Sequence, residues 1–316
     1  MRASILLLVA SVATGCASDF DKYNLITGPR LLAVRAEPPT TEPDGTTTLD
    51  ALVQVPADAT VEYAWSWCPL RGGAAQDYNC LVSEPDLRAL LAANGVDLAM
   101  GYDLGADATA TLGYPAPAPA LAALCGGMTG SLPPDVTPPD CTRGFPVSVG
   151  LTVRAGGAEI RSYKEVRLAL DENTPRNHNP SVSGVGFGAK NAARAATTPV
   201  VDSDPPVLQP NTTYELWADV PESSAEPFVR TFDAETGVPQ ASLETLTLTW
   251  FVEAGETLSM RTSYIYQELT FDDLDRNQWK IPRVADLETD HSRLTLVIRD
   301  ERGGVAWLAR DFALSR

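Results

Sequence analysis

The chain is poor in three things that functional chemistry usually draws on. Histidine is the first, with His178 and His291 the only two in 316 residues. A Ser-His-Asp or Cys-His arrangement needs a base within reach of its nucleophile. His178 lies in a polar segment, His291 lies in the turn Thr289-Asp290-His291-Ser292, and no Gly-x-Ser-x-Gly elbow accompanies either. With no His-x-x-x-His and no paired Cys-x-x-Cys, the usual zinc spacings are excluded as well. Cations are the second scarcity: 24 Lys and Arg stand against 41 Asp and Glu, a net charge of −17. A surface that acidic repels nucleic-acid phosphates and anionic headgroups, so neither is an expected ligand. The third is a long apolar run, since none approaches the length of a membrane-spanning helix. No phosphate loop is present, and no cofactor is expected.

What is there begins at the N-terminus. Arg2 gives a positive start, Ile5 to Ala10 an apolar stretch too short to span a bilayer, and Val12-Ala13-Thr14-Gly15-Cys16 a small-residue close. That order makes a secretory signal rather than a transmembrane helix. The segment resembles bacterial lipoprotein signals, whose lipobox places small residues before an acylated cysteine; it departs from the favoured pattern at Ala13. The resemblance covers the first 16 residues and implies removal of 1–15, with Cys16 as a lipidated N-terminus. Residues 16–27 then read as a tether. Ala17 stands where an inner-membrane lipoprotein carries Asp, so the resemblance implies the outer membrane, with the membrane as partner through the lipid.

Beyond Cys16, four cysteines remain, Cys68, Cys80, Cys125 and Cys141, an even number in an exported chain. That favours two disulfides over a metal site. Of three possible pairings, Cys68–Cys80 with Cys125–Cys141 closes the shortest loops, each worth roughly 3 kcal/mol in the chain-entropy account.

Period-two alternation dominates the rest. Thr47, Leu49, Ala51, Val53 and Val55 share one face of a strand, and Tyr63, Trp65 and Trp67 share one face of the next. The polar face opposite, Glu62, Ala64 and Ser66, cannot form a core, so the aromatic face is the buried one. Gly156-Gly157 joins two further strands, Phe145–Arg154 and Ala158–Leu170. Between Cys68 and Phe145 the composition changes. Ser83 caps a helix that stops at Asn94-Gly95, and a second short helix covers Ala120–Leu124. Residues 69–145 read as a disulfide-stapled, partly helical insertion.

The chain then repeats itself. Thr46 to Pro56 aligns with Asn211 to Pro221 at four identical positions, the strand around Trp65 is echoed around Trp250, and the glycine hairpin is echoed by Gly303-Gly304. Two copies of one β unit is the economical reading. Each copy, with its short strands and an early central Trp, resembles an immunoglobulin-like β-sandwich. The expected fold class is therefore all-β: two such sandwiches in tandem, domain 1 at 28–170 and domain 2 at 181–316, joined by a polar linker at 171–180. The likeness is at fold level and carries no functional residues.

The remaining candidates are few. Asp273, Asp275 and Asn277 offer alternate oxygen ligands as calcium loops do, but Gln278 and Val284 break the EF-hand pattern. Asp171 and Asn173 in the linker loosely resemble cadherin calcium linkers. Trp217 lies on a strand face with Glu215 and Asp219 and is expected to point outward, either covered by a neighbouring domain or loop or part of a contact surface. The expected function is a non-enzymatic, lipid-anchored envelope protein that binds or scaffolds, with protein or carbohydrate as partner. The alternative is an envelope hydrolase, for example acting on carbohydrate, with its site in 69–145; it needs only two carboxylates brought together by the fold.

Overall fold

Alternating apolar residues need a second sheet to cover them, and each half of the chain supplies its own. The computed structural model describes residues 22–56, 58–73, 78–127, 140–230 and 238–315. The leader and Cys16 lie outside the described residues. The first half contains β1 (Arg30–Glu37), β2 (Thr47–Gln54), β3 (Val61–Cys68), helix α1 (Glu84–Ala92), β4 (Asp103–Gly105) and β5 (Ala110–Leu112). Helix α2 (Ala118–Gly127), β6 (Phe145–Ala155) and β7 (Ala158–Leu168) complete it. The strands form two sheets, ordered β1-β2-β5 and β4-β3-β6-β7. Between them, Ala36, Leu49 and Leu112 meet Trp65, Trp67, Val149 and Val166 in one core.

The second half runs through β8 (Gly184–Ala189), β9 (Thr198–Pro199), β10 (Val207–Leu208), β11 (Thr213–Asp219), β12 (Pro227–Arg230) and β13 (Gln240–Leu243). It continues with β14 (Leu246–Val252), β15 (Glu256–Thr257), β16 (Arg261–Tyr264), helix α3 (Phe271–Asp275), β17 (Arg276–Lys280), β18 (His291–Asp300) and β19 (Val305–Leu314). Its sheets are β10-β19-β18-β14-β16 and β15-β17-β11-β8-β9, with β12-β13 a separate ribbon. Leu216 and Trp279 on one sheet pack against Leu248, Trp250, Leu296 and Phe312 on the other. Set side by side, the halves share one order: β1-β2-β5 corresponds to β8-β11-β17, and β4-β3-β6-β7 to β16-β14-β18-β19. The internal repeat is thus a repeat of topology.

Local chemistry explains the elements. Ser83 accepts from the Asp86 N–H and caps α1, with Pro85 in the first turn, where its missing N–H is harmless. Each buried indole finds an acceptor: Trp65 donates to Asp107 O, Trp67 to Gly101 O, Trp250 to Thr262 Oγ1 and Trp279 to Ala254 O. Cys68–Cys80 and Cys125–Cys141 are bridged.

Three segments make contacts that their local sequence does not announce. Within 69–145, β4 pairs with β3 and β5 with β2, and Leu87, Leu98, Leu112 and Leu121 join the core. Strands of three residues are too short for alternation to show. Residues 24 and 25 are held against the second half. Asn24, 3% exposed, donates to Trp250 O and Thr257 Oγ1, and Leu25 bridges to Val252. In the linker 171–180, Asn179 donates to Ala36 O and accepts from Val305 N, tying both halves.

Candidate functional site

One irregular residue creates the seam between the halves. In β1, Leu31 pairs with Val53 and Ala33 with Leu52, leaving Leu32 as a bulge. The alternation slips there. Leu31, Val34 and Ala36 face the first core, whereas Leu32 and Ala33 turn the other way, onto Phe251, Val297 and Val305 of the second half. The Leu32 carbonyl accepts from the Arg299 guanidinium at 2.7 Å. Nearby, the Arg35 guanidinium lies 4.4 Å over the Trp307 ring, and Gln54 donates to Glu253 at 2.6 Å. The outer faces of two sheets are thereby stacked, and beside this seam β1, β7 and the β18–β19 turn enclose a cleft of about 550 Å³. Clefts of that size between domains are where small ligands usually sit.

At its floor are Lys164 of β7 and Asp300 of β18, each 9% exposed. Lys164 donates to Gly303 O in the β18–β19 turn. Burial pushes its ammonium down to about 8, with Asp300 pulling the other way. Asp300 accepts from Gly304 N at 2.7 Å, Arg302 N at 2.9 Å and Asn177 Nδ2 at 3.2 Å, yet burial still raises its carboxyl above the usual range. Residue 304 has to be glycine: a Cβ there would collide with the Asp300 carboxylate and lie 2.9 Å from His178 O. Asn177 is 3% exposed, and its Oδ1 meets no donor among the described residues. Around this floor stand five cations, Arg143, Lys164, Arg167, Arg299 and Arg302, against three acids, Glu165, Asp300 and Glu301. In a chain of net charge −17, that local excess is a reversal. Arg302 is already paired with Glu226 and Glu244, while Arg143 makes no hydrogen bond or ion pair among the described residues.

No known protein family matches the chain, and no curated protein matches it. The solved structures it is similar to include distant ones. Red sea bream transglutaminase aligns at TM-score 0.26 and 9% identity, over 92% of this chain and 32% of that one. E. coli alpha-2-macroglobulin aligns at 0.24 and 8%, over 91% and 17%. The three N-terminal domains of the bacteriophage RB49 highly immunogenic outer capsid protein align at 0.18 and 8%, over 91% and 99%. The chain thus spans about a third of the transglutaminase it resembles. At such scores these likenesses carry no argument about fold detail or activity.

The residues singled out in the sequence do not converge. His178 pairs with Glu226 and His291 with Asp290, both rings largely exposed and neither hydrogen-bonded to a hydroxyl or thiol among the described residues. Asp273 closes a capping box with Thr270, Asp275 pairs with Arg194, and Asn277 bonds the backbone of Ser259. Asp171 instead forms a local turn, accepting from Asn173 N and Thr174 Oγ1. Among the described residues no cluster of three metal-ligating side chains occurs.

Trp217 is a correction. It does leave the core face, but it is 8% exposed and no contact surface. Its indole donates to Ala192 O, and Arg194 and Arg276 lie over the ring at 5.2 and 5.7 Å. Glu215, fully buried beside it, takes Arg276 and the Asn191 N–H. In the 69–145 stretch Glu84 accepts from Tyr102 N and Arg88, so its carboxylate serves the loop.

Lys164, Asn177 and Asp300 were not found from sequence. Only their types gave a signal, a lysine and an aspartate inside strands. What unites them is the seam, which no local pattern encodes.

Proposed function

We propose that this protein is a lipid-anchored lipoprotein of the cell envelope, held in the outer membrane through Cys16. In this reading it consists of two tandem immunoglobulin-like β-sandwich domains, 28–170 and 181–316, and binds or scaffolds without catalysing a reaction. The observation that carries it is the leader: an apolar stretch from Ile5 to Ala10 and small residues up to Cys16. The shared strand order of the two halves supports the tandem arrangement. No described helix is long and apolar enough to cross a membrane, so the acyl chains would do the anchoring. Support for binding comes from the cleft, where polar groups surround a space of ligand size instead of pairing a nucleophile with a base.

The test is fractionation with acyl labelling. The full-length protein should incorporate labelled palmitate and sediment with outer membranes, and Cys16→Ser should abolish the label and release the chain to the soluble fraction. An unlabelled protein, or an unchanged membrane-bound fraction in Cys16→Ser, contradicts the reading.

A further inference from the structure

We propose that the cleft between the halves binds a small carboxylate that also carries hydroxyl groups, of the hydroxy-acid or sugar-acid class. The proposal rests on the binding role above and names what is bound. Three features of the cleft select this chemistry. An ammonium has three N–H donors, and Lys164 gives one to Gly303 O, with no carboxylate in an ion pair with it. Its charge is nearly buried and calls for an anion, and Arg143, with no hydrogen bond or ion pair among the described residues, lines the same cleft. Asn177 supplies the second requirement. Asp300 accepts from its NH₂, so the buried Oδ1 is an acceptor without a donor, a situation that folded proteins avoid. A hydroxyl on the ligand fills it, whereas a plain carboxylate does not.

Size supplies the third. A cleft of about 550 Å³ is far larger than an inorganic anion and suits a ligand of several carbons. The groups facing Lys164 are Asp300 and Arg299 on β18 and Glu165 on its own strand, and their charges leave the ammonium short of a full counter-ion. Anion binding there should therefore follow the protonation of Lys164.

The test is calorimetric titration of the full mature chain in detergent with gluconate, galacturonate and tartrate, using galactose and inorganic phosphate as controls. At pH 7 at least one hydroxy carboxylate should saturate one site per chain, with galactose and phosphate weaker by about tenfold or more. Raising the pH above the Lys164 titration should weaken the bound member by about tenfold, because the neutral amine no longer attracts the carboxylate. Lys164→Met should abolish binding while the circular dichroism spectrum is unchanged. Should that variant fail to fold, the pH series on the unsubstituted protein decides. The proposal is overturned if no member of the set binds at millimolar concentration, if galactose or phosphate binds as tightly, or if affinity ignores pH. Any of these leaves the Cys16 anchor standing, because fractionation tests that separately.

Discussion

Lys164 in the first half of the chain donates to the carbonyl of Gly303 in the second, a contact spanning 139 positions of sequence. It places a nearly buried cation against the turn between β18 and β19. Consequences for stability, pH response and ligand access follow from that one contact.

The pH response has a definite sign. Lys164 titrates near 8 in the folded protein and at its ordinary 10.5 when unfolded. Between those values the unfolded chain holds the extra proton, so stability rises with pH through this window. The shift corresponds to about 3 kcal/mol, fully present only above the unfolded value. Urea melts at intervals from pH 7 to 10.5 should show the rise, and Lys164→Met should flatten it.

Gly304→Ala should destabilise the protein by about 2–3 kcal/mol, since the added methyl displaces Asp300 from the Gly304 N–H. Gly303, at φ +99°, should lose only about 1 kcal/mol as alanine, from backbone strain alone. Gly113→Ala, whose nearest contact would be Thr46 Cγ2 at 3.8 Å, serves as the neutral control. Thermal melts of the three variants give the ranking.

Trp217→Ala should cost about 3–5 kcal/mol, the range of a buried large aromatic, because the ring is nearly buried and carries Arg194 and Arg276 over it. A contact residue would instead lose partner binding at unchanged stability. Chemical denaturation of the variant separates the two.

Reducing the bridges should lower the melting temperature. Cys68–Cys80 and Cys125–Cys141 close separations of 12 and 16 residues, each worth about 3 kcal/mol. Replacing each pair by serine in turn and measuring unfolding in denaturant checks both figures.

Much of the β framework was legible because alternation and turn chemistry are local. Ser83 caps α1, and Trp65 and Trp67 share the buried face, both readable from neighbouring residues. The halves' shared strand order was visible as repeated segments. What escaped was set by distant contact. β4 and β5 are three residues each and become strands only through β3 and β2. Trp217 obeyed alternation, yet whether an outward tryptophan is exposed depends on the loop around Ala192 and Arg194. The cleft was invisible, because the bulge at Leu32 looks like any apolar residue in an apolar run.

A preformed cleft requires that the two halves hold one arrangement across the Leu32 seam. That requirement is tested most directly by the distance between spin labels placed at exposed Leu90 and Leu258, introduced as noncanonical residues so the native cysteines stay bridged. A single narrow distance distribution is expected at pH 7, unchanged by saturating hydroxy carboxylate. A broad or two-peaked distribution without ligand would contradict it, because the halves would then be moving independently across the Leu32 seam.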